Sequence, residues 1–185
     1  MSKIAVFFAE GYEEIEALTV VDICRRCGID VDMVSVTGRR AVKGAHDISV
    51  EMDKLFEETD FRCYDMLVLP GGLEGTKGLE AHEGLMAQID AFYDRGKYIA
   101  AICAAPSIFG HRGILEGRKA CSYPSFENQL AGADVTQGPV EVSDNVVTGR
   151  GMGAAVPFGL AIAEIFCGSE AADDMAEKIV YFGQR

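Results

Sequence analysis

The sequence predicts an α/β fold: a three-layer α/β/α sandwich around a mostly parallel central sheet. Two observations carry this. Short apolar runs closed by glycine or proline alternate with longer stretches of helical spacing. Several of those runs are apolar at nearly every position, as strands covered on both faces must be.

The elements follow in order. Ile4 to Phe8 reads as a first strand. Glu14 to Cys27 has helical spacing, with Ile15, Leu18, Val21 and Ile23 toward one side, and Gly28 stops it. Val31 to Val36 is a second strand. Residues 39–52 read as a small hairpin turning near Gly44-Ala45-His46-Asp47. Met66 to Leu69 is a third strand, ended by Pro70-Gly71-Gly72. His82 to Arg95 is helical and stops before Gly96. Tyr98 to Ile102 is a fourth, central strand, and Pro106 suits the first turn of the next helix. Shorter strands are predicted at Lys119 to Cys121, Val140 to Val142 and Val146 to Thr148. Pro157 to Phe166 and Ala171 to Phe182 are predicted helices.

The 185 residues suffice for one core, and we expect one domain over 1–185. No apolar run is long enough to span a bilayer. The start, Met1-Ser2-Lys3-Ile4-Ala5-Val6, lacks the features of a signal peptide, so a cytoplasmic location is expected. A formal charge of −12 repels phosphate backbones and anionic membranes, so neither nucleic acid nor a membrane is an expected partner. The six cysteines read as reduced thiols in a chain of this size. The one CxxC, Cys24 to Cys27, ends a helix, where the dipole opposes thiolate, and no second pair completes a zinc site. We expect no metal and no cofactor.

In such sheets ligands bind beyond the carboxyl ends of the strands. The loops there carry Ala9 to Glu14, Pro70 to Leu73 and Cys103 to Pro106. Cys103 sits where a buried strand turns into a helix, between small residues, the logic of a nucleophile elbow with cysteine in place of serine. The helix N-terminus is expected to lower its pKa. Backbone N–H groups of Ala104 and of Gly71-Gly72 are placed to form an oxyanion hole. Glu16 follows Ile15 and precedes Ala17-Leu18, so it can point toward the sheet; protonated, it would donate a hydrogen bond to a thiolate. Its plain alternative is an acidic residue favoured by the helix dipole. His46, His82 and His111 are the only histidines, which excludes a Cys-His triad with a late histidine. Gly71 to Lys77 lacks Walker A spacing. Gly149-Arg150-Gly151-Met152-Gly153 is not GxGxxG and reads as a strand-to-helix turn, with Arg150 able to line a pocket rim.

Five collinear segments resemble the ThiJ/PfpI (DJ-one) superfamily: Glu10 to Glu16, Val21 to Gly28, Tyr64 to Gly72, Ala100 to Pro106 and Thr148 to Gly151. The resemblance implies a flavodoxin-like fold, a reactive Cys103 paired with Glu16 and readily oxidised, oxyanion donors at Gly72 and Ala104, and a homodimer. It also implies a place near the site or the dimer interface for Arg26 and for His46. Ala104 stands where protease-like members carry histidine, and Tyr123 where many DJ-one-like members do. The departures leave Glu16 as the obvious acid-base group, unless Tyr123 or a partner chain's His46 replaces the missing histidine. The expected activity is that of a stress-response glyoxalase or protein deglycase, with a small aldehyde at Cys103. The alternative is a redox sensor or chaperone, with peroxide oxidising the same sulfur. Protease and glutaminase activities are not expected.

Overall fold

The computed structural model describes residues 2–183. The chain runs β1 (Lys3–Phe8), α1 (Glu14–Arg26), β2 (Asp30–Ser35), β3 (Ala41–Lys43), β4 (Ser49–Glu51), β5 (Lys54–Leu55), β6 (Met66–Leu69), α2 (Leu73–Glu80), α3 (Glu83–Asp94), β7 (Tyr98–Ile102), α4 (Pro106–His111), β8 (Lys119–Ala120), β9 (Asp134–Val135), β10 (Val140–Ser143), β11 (Val146–Gly149), α5 (Ala155–Cys167) and α6 (Ser169–Lys178). Seven strands form the central sheet in the order β10-β11-β7-β6-β1-β2-β5. All neighbours are parallel except β10 and β11, which a tight turn at Asp144 (φ +55°) joins as a hairpin.

The strand pleat sorts the core into two layers. Ala5, Phe7, Leu67, Leu69, Ile99 and Ala101 face one side and pack with Leu79 of α2, Ile89 and Phe92 of α3, and Phe109 of α4. Ile4, Val6, Phe8, Met66, Val68, Ala100 and Ile102 face the other side, against Ala17, Val20 and Cys24 of α1 and Phe158 and Ile162 of α5. This is the expected mostly parallel sheet covered on both faces.

Four local expectations change. In α1 the buried face is Ala17, Val20, Val21 and Cys24, spaced i, i+3, i+4, i+7, and Ile15 is half exposed. Helix α2 was not predicted, because two glycines in Leu73–Glu80 depress helix propensity. Tertiary packing explains them: a Cβ on Gly75 would lie 2.7 Å from Tyr12 Cα. The strand expected over Lys119 to Cys121 ends at Ala120 and pairs with β9 in a separate two-stranded sheet. Cys121 N–H instead donates to Thr148 Oγ1 at 3.0 Å. Helix α6 stops at Lys178, short of Phe182, where Val180 takes a left-handed φ of +58°.

From β1 the chain passes to β2 on one side and later returns as β6 on the other. The crevice beyond the carboxyl ends of β1 and β6 is therefore a topological switch point, where open α/β sheets bind ligands. The segments leaving β1, β6 and β7 meet there.

Candidate active site

Cys103 occupies the turn between β7 and α4 with φ +66°, in the left-handed region. For a residue with a Cβ this costs on the order of 1 kcal/mol. Two backbone hydrogen bonds hold it. Cys103 N–H donates to Gly149 O at 2.9 Å, and Cys103 O accepts from Tyr123 N–H at 2.8 Å. The side chain is thereby fixed at the carboxyl end of the central strand.

Glu16, in the first turn of α1, is 1% exposed. Its Oε2 accepts from Gly71 N–H at 3.0 Å, while Oε1 is buried with no conventional hydrogen-bond partner. Gly71 is the hinge of the arrangement. A Cβ there would lie 2.6 Å from Cys103 Cβ and would collide with Glu16 Oε2. Only glycine lets the β6 loop, α1 and the cysteine turn approach this closely.

Burial pushes the Glu16 carboxyl up to about 7, with Glu13 adding to it and hydrogen bonds with Cys103 and Gly71 opposing it. Burial, followed by the charge of Glu16, pushes the Cys103 thiol up to about 12, against hydrogen bonds from the N–H groups of Gly72 and Ala104. The sequence expectation of a lowered thiol pKa is therefore overturned. Helix α4 has six residues and starts only at Pro106, so its dipole is weak beside desolvation and a neighbouring carboxylate. The two groups share one proton's worth of charge. A thiolate forms readily only when Glu16 keeps its proton. Alkylation rate against pH should consequently rise in two steps in the wild type, the first near the Glu16 value of about 7. In Glu16→Gln a single step should remain. A single step at an ordinary thiol pKa in both proteins would mean that the groups are not coupled.

The other predicted residues separate. Tyr123 joins Cys103 in lining a cavity of about 440 Å³, with Leu73, Ala104, Ser125 and Phe126. Leu73 closes the expected Pro70 to Leu73 loop and opens α2, whereas Ser125 and Phe126, in the 3-10 turn at Pro124–Gln129, carry no sequence signal. Arg150 lies in an adjoining cavity that shares Tyr123, and its Nη2 is 3.1 Å from Glu127 Oε1. His46, on the β3–β4 hairpin, binds Glu14 through its own N–H (2.7 Å) and through Nδ1 (2.9 Å). Among the described residues, Glu13, Glu14 and His46 form a group whose ligating atoms lie within 4.8 Å. The Glu14–His46 hydrogen bonds already account for that approach. Arg26 sits at the far end of α1 and pairs with Asp22 at 2.7 Å. Ten helical residues, roughly 15 Å, separate it from Glu16.

A buried carboxyl, two backbone donors and a cysteine held at left-handed φ therefore meet at one switch point. The sequence pattern of the DJ-1/PfpI family matches residues 2–165. The chain belongs to the DJ-1/PfpI family. Among relatives of this family, Protein DJ-1 homolog B of Arabidopsis thaliana is 34% identical over 96% of this chain. The chain spans only 41% of that relative's length, and 44% in the case of Arabidopsis homolog A. The glutathione-independent glyoxalase DJ-1 of Schizosaccharomyces pombe is 31% identical, over 89% of this chain and 91% of the relative. The solved structure of oxidized Toxoplasma gondii DJ-1 superposes with a TM-score of 0.94 at 33% identity, covering 99% of this chain and all of the other. The flavodoxin-like fold of DJ-1 proteins is thus this chain's fold.

Proposed function

We propose that this DJ-1/PfpI protein is a cofactor-independent glyoxalase that converts 2-oxoaldehydes to 2-hydroxy acids through Cys103. The observation that carries the reading is the buried Glu16 carboxyl beside a sulfur that also receives the N–H groups of Gly72 and Ala104. The yeast relative's name supports it. With Glu16 protonated, the Cys103 thiolate attacks the aldehyde carbon. An S–C bond forms, the carbonyl electron pair moves to oxygen, and Gly72 and Ala104 N–H stabilise that charge. Glu16 delivers its proton to the oxygen, giving a hemithioacetal. The Glu16 carboxylate next removes the proton from that carbon, and the enediol is reprotonated at the neighbouring carbon, leaving a 2-hydroxyacyl thioester. Water attacks the thioester, the C–S bond breaks and the thiolate returns. No oxidant is needed, since one carbon is oxidised as its neighbour is reduced.

The same chemistry would release early adducts of 2-oxoaldehydes from proteins. The homodimer implied by resemblance belongs to this proposal. Ile15, beside Glu14, and Ile48, beyond His46, are each about half exposed and offer apolar surface for it. No helix of the described residues is long and apolar enough to cross a membrane.

Methylglyoxal consumption and lactate formation test the proposal. Cys103→Ala should lower the rate by about a hundredfold or more. Equal rates in the two proteins would overturn it. Inactivity of both would leave redox sensing at Cys103, a half-buried thiol, as the better reading.

A further inference from the structure

The cavity over Cys103 has a one-sided chemistry. Its walls are Leu73, Ala104, Tyr123 and Phe126, and its polar groups are the Ser125 hydroxyl, the Tyr123 phenol and the Cys103 thiol. No lysine, arginine or histidine is among its lining residues. Glu16 is the ionisable side chain that acts on the sulfur; Glu13 acts in turn on Glu16, and His46 Nδ1 lies 3.7 Å from Glu13 Oε2. Two cavities adjoin this one: beyond Leu73 lies Lys43, paired with Asp47 at 3.0 Å, and beyond Tyr123 lies Arg150. There Glu127 (3.1 Å) neutralises it and Thr136 O occupies its Nη1 at 3.4 Å.

The apolar walls also begin beside the oxyanion donors. Leu73 follows Gly72 in the chain, and Ala104 is itself a donor. A carbonyl oxygen held by those N–H groups, with its carbon at Cys103, leaves its substituent among Leu73, Tyr123 and Phe126. A methyl group leaves most of a 440 Å³ space unfilled. A phenyl ring meets two aromatic side chains and a leucine. A carboxylate is desolvated among apolar walls with no cation in that lining to receive it.

We infer that this site is selective for neutral 2-oxoaldehydes bearing an aromatic or bulky apolar group, over methylglyoxal and over carboxylate-bearing aldehydes. The inference rests on the glyoxalase reading and adds a substrate class to it. Leu73, Tyr123 and Phe126 are its specificity-determining residues.

The full chain should be assayed with phenylglyoxal, methylglyoxal and glyoxylate. The expected kcat/KM for phenylglyoxal is about tenfold that for methylglyoxal, and glyoxylate falls about a hundredfold below phenylglyoxal. Leu73 is 56% exposed, so Leu73→Lys should fold. It should raise the glyoxylate-to-phenylglyoxal ratio by about tenfold by placing a cation at the wall. Phe126→Ala should shrink the phenylglyoxal advantage. A second readout needs no turnover: alkylation of Cys103 by N-benzyl iodoacetamide, iodoacetamide and iodoacetate, each normalised to its rate with glutathione. The expected order is benzyl fastest and carboxylate slowest. That order with no turnover of any aldehyde would overturn the glyoxalase reading alone. Methylglyoxal turnover with flat alkylation rates and no phenylglyoxal preference would overturn the selectivity alone.

Discussion

Gly72→Ala is expected to cost this fold about 4 kcal/mol and to lower Tm by roughly 12 °C. Two effects add. Gly72 sits at φ +88°, where an alanine is strained whatever the space around it. Its Cβ would also drive into Gly11 O and lie 2.7 Å from Glu13 N. Those contacts are backbone, so no rotamer change relieves them. They belong to the loop that leads into α1, which shifts Glu16 as well. Gly28→Ala is the comparison that isolates sterics. It shares a positive φ of +79° but has no atom within 4 Å of the added carbon. It should cost only about 1 kcal/mol. Urea melts of both variants check this, and equal costs would mean that the close approach of the β1 and β6 loops is not what Gly72 supports.

Glu16→Gln should stabilise the protein at alkaline pH by about 3 kcal/mol and leave it almost unchanged near pH 4. The folded-state pKa of Glu16 is about 7, above its ordinary 4.5. Between these values the folded protein holds a proton that the unfolded chain has released. Stability is therefore full below about pH 4.5, falls as pH rises to about 7, and stays at the lower level above that. Glutamine keeps a carbonyl to accept the Gly71 N–H and carries no charge, so the penalty vanishes. The expected gain in Tm at pH 8 is roughly 10 °C. A variant less stable than wild type at pH 8 would show that the carboxylate is stabilised in the fold. The same substitution removes the proposed acid-base group, so stability and turnover should move in opposite directions. That opposition is expected where a fold retains a costly buried charge for chemistry.

How legible the site was depended on what kind of information each residue carries. Cys103 and the glycines after β6 were visible because a thiol between small residues at a strand end, and a Pro-Gly-Gly stop, have local signatures. Glu16 was visible, and its place between Ile15 and Ala17-Leu18 allowed it to face the sheet, but the sequence left an exposed acid at the helix start as the alternative. Its neighbour Ile15 is the more apolar of the two and yet faces outward, because the wheel of α1 is set by Ala17, Val20, Val21 and Cys24. The direction of the thiol's pKa is not legible for the same reason. A helix dipole can be read from sequence, but desolvation and a carboxylate brought in from another element cannot.

The sequence by itself determined the order and type of the main elements. It also determined the two-sided burial of the strands and the convergence of three loops at their carboxyl ends. Periodicity and glycine or proline punctuation are local, and they propagate through a parallel sheet with little freedom. Tertiary structure alone decided that α2 forms despite two glycines, which of its two readings Glu16 follows, and that Phe126 joins Leu73 and Tyr123 in the cavity at Cys103. Each of these depends on distances between segments far apart in the chain, and on the dielectric that their packing creates around one sulfur and one carboxyl.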